Sequence, residues 1–222
     1  MAPRSFSLVD AIAYGWRAFK RNLGPALLVG AGSLATTLIA NELAEGAERR
    51  GGFALVLVLG LAAQVVQIFW SYVWIRLGLV VHDAHEPRPS AVLCDLKTFV
   101  TFCAAALLYT VIVTLGLVLF VIPGLYLAVR YAFVSFLTAD RRADVLGAFG
   151  ESATLSRGVR WKLFFLMVVL FALNLIGAMF FGLGLFITVP VSVFALTMVY
   201  RRLVVCVEEE RAFVTPLAPV PV

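Results

Sequence analysis

Stretches of about twenty apolar residues recur along this chain, the length that crosses a hydrocarbon core about 30 Å thick. Six can be marked out: Leu23 to about Ala40, Phe53 to about Val81, about Phe99 to Ile122, Gly124 to about Thr138, Leu163 to Phe181 and Leu185 to about Val207. With only 14% charged residues and a mean hydropathy of +0.99, the chain could not give a soluble domain its polar surface. The runs are too continuous for the alternating strands of a membrane barrel. The expected fold is therefore all-α, a polytopic bundle of about six transmembrane helices with interfacial amphipathic helices.

The sequence divides into residues 1–22, an interfacial amphipathic helix; 23–211, the six-span domain, with a cytoplasmic helical segment at 140–162; and 212–222, a proline-containing tail expected to be disordered. In the first unit Leu8, Ile12, Trp16 and Phe19 recur at helical spacing beside Arg17, Lys20 and Arg21, and Ser7 with Asp10 reads as a capping pair. No secretory leader is expected there. Residues 41–52, rich in Glu and Arg, read as a polar loop. Residues 90–99 read as a short interfacial segment.

Charge sets the expected orientation. Lysines and arginines gather on the cytoplasmic side of membrane proteins. With six spans and the N-terminus inside, 14 of the 18 Lys and Arg residues fall at the inner face, and only Arg49 and Arg50 fall outside. The reading is a multi-pass protein of the cytoplasmic (bacterial inner) membrane, with both termini cytoplasmic. The net charge of +5 is explained that way, and no nucleic acid is expected as a partner. Cys94, Cys103 and Cys206 show neither metal spacing nor pairing logic and read as small apolar fillers.

A three-hairpin repeat is discernible. Each unit has a polar lead-in, a span, a tight turn and a returning span that carries an arginine: Arg76, Arg130 or Arg201. Acids follow each of them: Asp83, Asp140 and Glu208.

The stretch Val121-Ile-Pro-Gly-Leu-Tyr-Leu-Ala-Val-Arg130 concentrates the unusual chemistry. Pro123 and Gly124 are expected to break the helix, and Pro190 to kink the sixth span. Arg130 stands among apolar residues, where a guanidinium is costly unless answered. Arg130, Arg76, Tyr126 and Arg201 are the candidate ligand-binding residues; the arginines would meet a lipid headgroup, an anionic substrate or a proton-linked partner, or else snorkel to the surface or bond backbone carbonyls freed by Pro123 or Pro190. Gln64, Gln67, Asn174 and Thr188 read as polar links between helices, and Gly32, Thr36 and Ala40 as a small face for close approach. Trp16, Trp70, Trp74 and Trp161 suit interface anchoring. His82-Asp-Ala-His85-Glu86 has the spacing of a metal pair but no third histidine to complete it, so neither a metal nor any other cofactor is expected. Ser152 and Ser156 lack a base, and no catalytic motif is present, so no enzyme activity is expected.

Ile122-Pro-Gly-Leu-Tyr-Leu-Ala-Val-Arg130, Ala148 to Trp161 with Ser152 and Ser156-Arg157-Gly158, and Pro190 and Tyr200 resemble a bacterial family of six-span membrane proteins, the YciC-like group. That group is related to the membrane domain attached to some glycerophosphodiester phosphodiesterases. The resemblance covers about the last 110 residues and implies architecture. The phosphodiesterase activity belongs to a separate soluble domain and is not implied here. Two readings of function follow. One is a non-catalytic protein that scaffolds or regulates a membrane-protein partner, or its own oligomer. The other is a carrier or binder of anionic membrane lipids or small amphiphiles that uses the intramembrane arginine.

Overall fold

The computed structural model describes residues 6–49, 53–84, 96–179 and 183–214. They form helices throughout: α1 (Leu8–Arg21), α2 (Leu23–Arg49), α3 (Phe53–Ala84), α4 (Leu96–Leu119), α5 (Val121–Arg130), α6 (Val134–Ala139), α7 (Val145–Leu155), α8 (Arg160–Met179) and α9 (Leu185–Val214). Counting α5 and α6 as one segment, six are long and apolar enough to cross a membrane, so this is a multi-pass membrane protein.

Several helices outrun the apolar runs that announce them. Helix α2 continues through 41–49, where a loop was expected, because Asn-Glu-Leu-Ala-Glu-Gly-Ala-Glu-Arg is mostly good helix former and Arg49 bonds Glu45 one turn back at 3.2 Å. At 27 residues it is about 40 Å long, more than a bilayer core needs. Helix α9 runs to Val214, so 212–214 are helix; the rest of the expected tail, 215–222, lies outside the described residues. Helix α4 begins at Leu96, inside the stretch expected to be interfacial, whose other residues, 90–95, are also outside.

Helices α2/α3, α4/α5 and α8/α9 form successive antiparallel pairs. Lipid offers apolar helices no hydrophobic reason to associate, so close approach and hydrogen bonds must hold them. In the first pair Gly32 makes room for the Trp70 indole, whose Nε1 donates to Thr36 Oγ1 at 2.8 Å, while Gln67 Nε2 donates to Thr37 Oγ1 at 2.8 Å. Trp70 and Trp74 are thus packing residues, correcting the expectation that they anchor the interface; Trp74 is buried and lies beside Gly30. In the third pair Asn174 Nδ2 donates to Ser192 Oγ at 2.9 Å.

The break expected at Pro123-Gly124 lies at Phe120, which is extended (φ −157°, ψ 136°). Pro123 stands in the first turn of α5, where a missing N–H removes no helical bond. Gly124 does different work: a Cβ there would meet Leu117 N at 2.5 Å, so glycine lets α5 fold tightly against α4. Helix α9 continues through Pro190, which lies inside it.

Helix α9 is central, touching α1, α2, α3, α7 and α8. Ser7 caps α1 through a hydrogen bond from Asp10 N, as expected. The deeply buried ridge of α1 is Ala11, Gly15, Ala18 and Phe19, while Leu8 and Ile12 are half-buried and Trp16 is exposed. The small residues win that face because α1 lies directly on α9: a Cβ at Gly15 would sit 2.4 Å from the Val191 carbonyl.

Candidate functional site

The three arginines that look alike in sequence have separate fates. Arg201 lies within α9, beside the ends of α3 and α6. It grips Asp140 with both arms, Nη1 to Oδ2 at 2.7 Å and Nη2 to Oδ1 at 3.0 Å, and also bonds Asp83. Asp140 further accepts from Arg142 Nε at 2.7 Å and from the Tyr200 hydroxyl at 3.0 Å, and Arg142 goes on to Glu208. The side chains of Arg201 and Asp140 are 13% and 11% exposed, so this forked pair is largely withdrawn from solvent. Asp83, Asp140 and Glu208, the acids that follow the arginines in sequence, do pair here, but across elements.

The local backbone makes this possible. After α6 the chain turns at Arg141 in the left-handed region (φ 58°), with Arg142 N bonding Leu137 O and Arg141 N bonding Thr138 O. This helix-ending motif usually carries glycine at the left-handed position. Here it aims Asp140 and Arg142 into one cluster. Arg76 serves the same end of the bundle: its Nη1 donates to Ala139 O at 3.2 Å, answering a carbonyl in the last turn of α6. Arg201 and Arg76, expected as ligand-binding residues, therefore join α3, α6 and α9.

Arg130 is different. It ends α5, and no ion pair among the described residues involves it. Its guanidinium lies over the Tyr131 ring at 5.4 Å from the centroid. One turn back, Tyr126 accepts a hydrogen bond from Arg160 Nη1 at 2.8 Å and offers that guanidinium its ring at 5.1 Å. Arg160 also forms no ion pair among the described residues. Both Nε atoms are buried without a hydrogen-bond partner. Lys162 and Trp161 follow Arg160 and are exposed. The result is a seam of guanidinium and aromatic groups where α5 passes the turn between α7 and α8.

What holds that seam is a feature the sequence did not announce. The fourth span is interrupted at 131–133, with neither proline nor glycine present. The freed backbone groups are answered from α7 and the turn behind it: Ser152 Oγ donates to Arg130 O and accepts from Phe133 N, each at 3.2 Å, and Ser156 Oγ lies 3.2 Å from Arg130 O. Both serines are fully buried. Gly158, at φ 84°, turns the chain from α7 into α8 and so brings Arg160 to Tyr126.

Arg160 was missed as a site residue. Its signal was position, four residues after Ser156 as Arg130 is four after Tyr126. Of the histidine pair only His82 is described: Nδ1 lies 3.4 Å from Asp83 Oδ1 and its ring 5.6 Å from Tyr14, while His85 and Glu86 fall outside the described residues. A cleft of about 610 Å³ between α2, α3 and α9, lined by Trp70, Trp74 and Phe186 among others, has no charged lining residue and does not suit an anion. A scan against protein-family models, a search of curated proteins and a search of solved structures each find no match to this chain.

Proposed function

We propose that this is a non-catalytic protein of the cytoplasmic membrane, with both termini cytoplasmic, that binds anionic lipid headgroups at the Arg130–Arg160 seam. One observation carries the reading. Two guanidiniums, Arg130 and Arg160, each rest on a tyrosine ring, and neither is answered by a carboxylate among the described residues. A phosphate is the natural complement of such forks. The skew of Lys and Arg along the sequence supports the orientation. Ser152 and Ser156 spend their hydroxyls on backbone, which supports a binding role over a nucleophilic one. Kinship with the YciC-like group, on Ile122–Arg130 and Ala148–Trp161, belongs to the same proposal and fits a six-span layout.

A second reading, scaffolding of a membrane partner or self-association, is favoured by a separate observation. The first half of α3 is uncovered, with Leu57, Val58 and Leu61 exposed, and Gln64 is exposed on the same stretch.

The test is native mass spectrometry of protein extracted in mild detergent, comparing wild type with Arg130→Gln/Arg160→Gln. At about 1 kcal/mol per cation, the double variant should retain anionic lipid about thirtyfold more weakly with its melting temperature unchanged. Undiminished retention would sink the proposal, and loss of a bound subunit in its place would favour the scaffold.

A further inference from the structure

The end of α1 carries a basic concavity that the seam does not touch. A cavity of about 560 Å³ lies between the last two turns of α1 and the end of α3, lined by Tyr14, Arg17, Lys20, Arg21, Asn22 and His82 among others. Three of these residues are permanent cations, and no acid lines the cavity. Among the described residues, none of the three cations joins an ion pair. Lys20 rests instead on the Trp16 ring, 5.7 Å from its centroid. Asp83, which follows the lining His82, is engaged by Arg201 and by His82 itself.

A helix C-terminus favours positive charge, but that influence fades within the last turn, and Arg17 stands a full turn before the end. Three cations around one concavity exceed what the helix dipole calls for. The scaffold is fixed on both sides: Gly15 seats α1 on the α9 backbone, and Asn22 Nδ2 closes the helix end on Ala18 O at 3.0 Å. The next residue, Leu23, opens the first membrane-crossing helix, so the concavity lies beside the point where the chain enters lipid.

We infer that this cavity binds a phosphate ester, with Arg17, Lys20 and Arg21 meeting its charged oxygens and the Tyr14 hydroxyl and His82 ring available as further hydrogen-bonding groups. Two sources share this chemistry, the headgroup of a membrane lipid and free phosphate. The inference does not rest on the Arg130 seam, which is built from other helices.

The test uses the full chain in nanodiscs of phosphatidylcholine, with and without added phosphatidylglycerol, and separately in detergent with inorganic phosphate. Binding is read by native mass spectrometry. Wild type should bind saturably, and Arg17→Gln/Lys20→Gln/Arg21→Gln should bind about a hundredfold more weakly. All three side chains are exposed, so the fold should survive, and an unchanged melting temperature checks this. Tyr14→Phe keeps the shape and charge and should weaken binding only a few-fold. Response to phosphatidylglycerol alone identifies a lipid headgroup; equal response to inorganic phosphate identifies free phosphate; both support the site. Undiminished binding by the triple variant overturns it. Because Arg130→Gln/Arg160→Gln leaves α1 intact, loss in one variant set and not the other tells the two sites apart.

Discussion

Two groups of arginines, alike in sequence, end as opposites. Around Asp140 every acid is spoken for: Arg201, Arg142 and Tyr200 converge on one carboxylate, and Asp83 and Glu208 complete the net. At the seam, Arg130 and Arg160 meet tyrosines. The difference teaches that an arginine near the end of an apolar run is not by itself a site. What matters is whether another part of the chain delivers an acid. The turn at Arg141 delivers Asp140 to Arg201, whereas the serines of α7 hold the backbone at Arg130 and leave its guanidinium alone.

The sharpest way to break the comparison is Asp140→Ala. It removes the two-armed partner of a largely buried guanidinium, leaving it Asp83, and should cost up to about 3–5 kcal/mol, seen as a large fall in melting temperature in detergent. Asp140→Leu with Arg201→Leu should recover much of the loss, since the one acid it deprives of Arg201, Asp83, is half-exposed to solvent. A single variant no worse than the double would show that the net contributes nothing.

Next comes Ser152→Ala, which strips the buried Phe133 N–H of its partner and should cost about 1–3 kcal/mol. Hydrogen exchange should quicken at Phe133 while the Asp140 net stays protected. Exchange that rises equally in both regions would show them to be one cooperative unit.

The smallest effect belongs to Tyr14. Burial, then the Asp83 carboxylate, raises its phenol above the ordinary 10.0, so the folded chain favours the neutral form. The stabilisation is complete below the ordinary value and is lost as pH climbs through the raised one. Docking of α1, followed by its susceptibility to limited proteolysis, should weaken in that alkaline window, and Tyr14→Phe should remove this dependence.

The six membrane-crossing segments were legible because twenty apolar residues admit few other structures. Their ends were not. Apolarity stops where lipid stops, while Glu45 and Arg49 carry α2 onward as helix. The interruption at 131–133 left no mark because its cause is remote: Ser152 offers the chain an alternative to the α-helical bond from nineteen residues away. Arg130 and Tyr126 could be picked out as oddities in an apolar run. That Arg201 would be consumed depended on Asp140, 61 residues earlier, and no local pattern carries that pairing.

The serine bridge has a consequence for how the chain is made. Val121–Ala139 emerges from the ribosome ahead of Ser152, so this stretch enters the insertion machinery with one carbonyl and one amide still unanswered. It cannot settle as a finished rod on its own. Its assembly must wait for α7, which ties the folding of a segment within the bilayer to a helix too short to cross it.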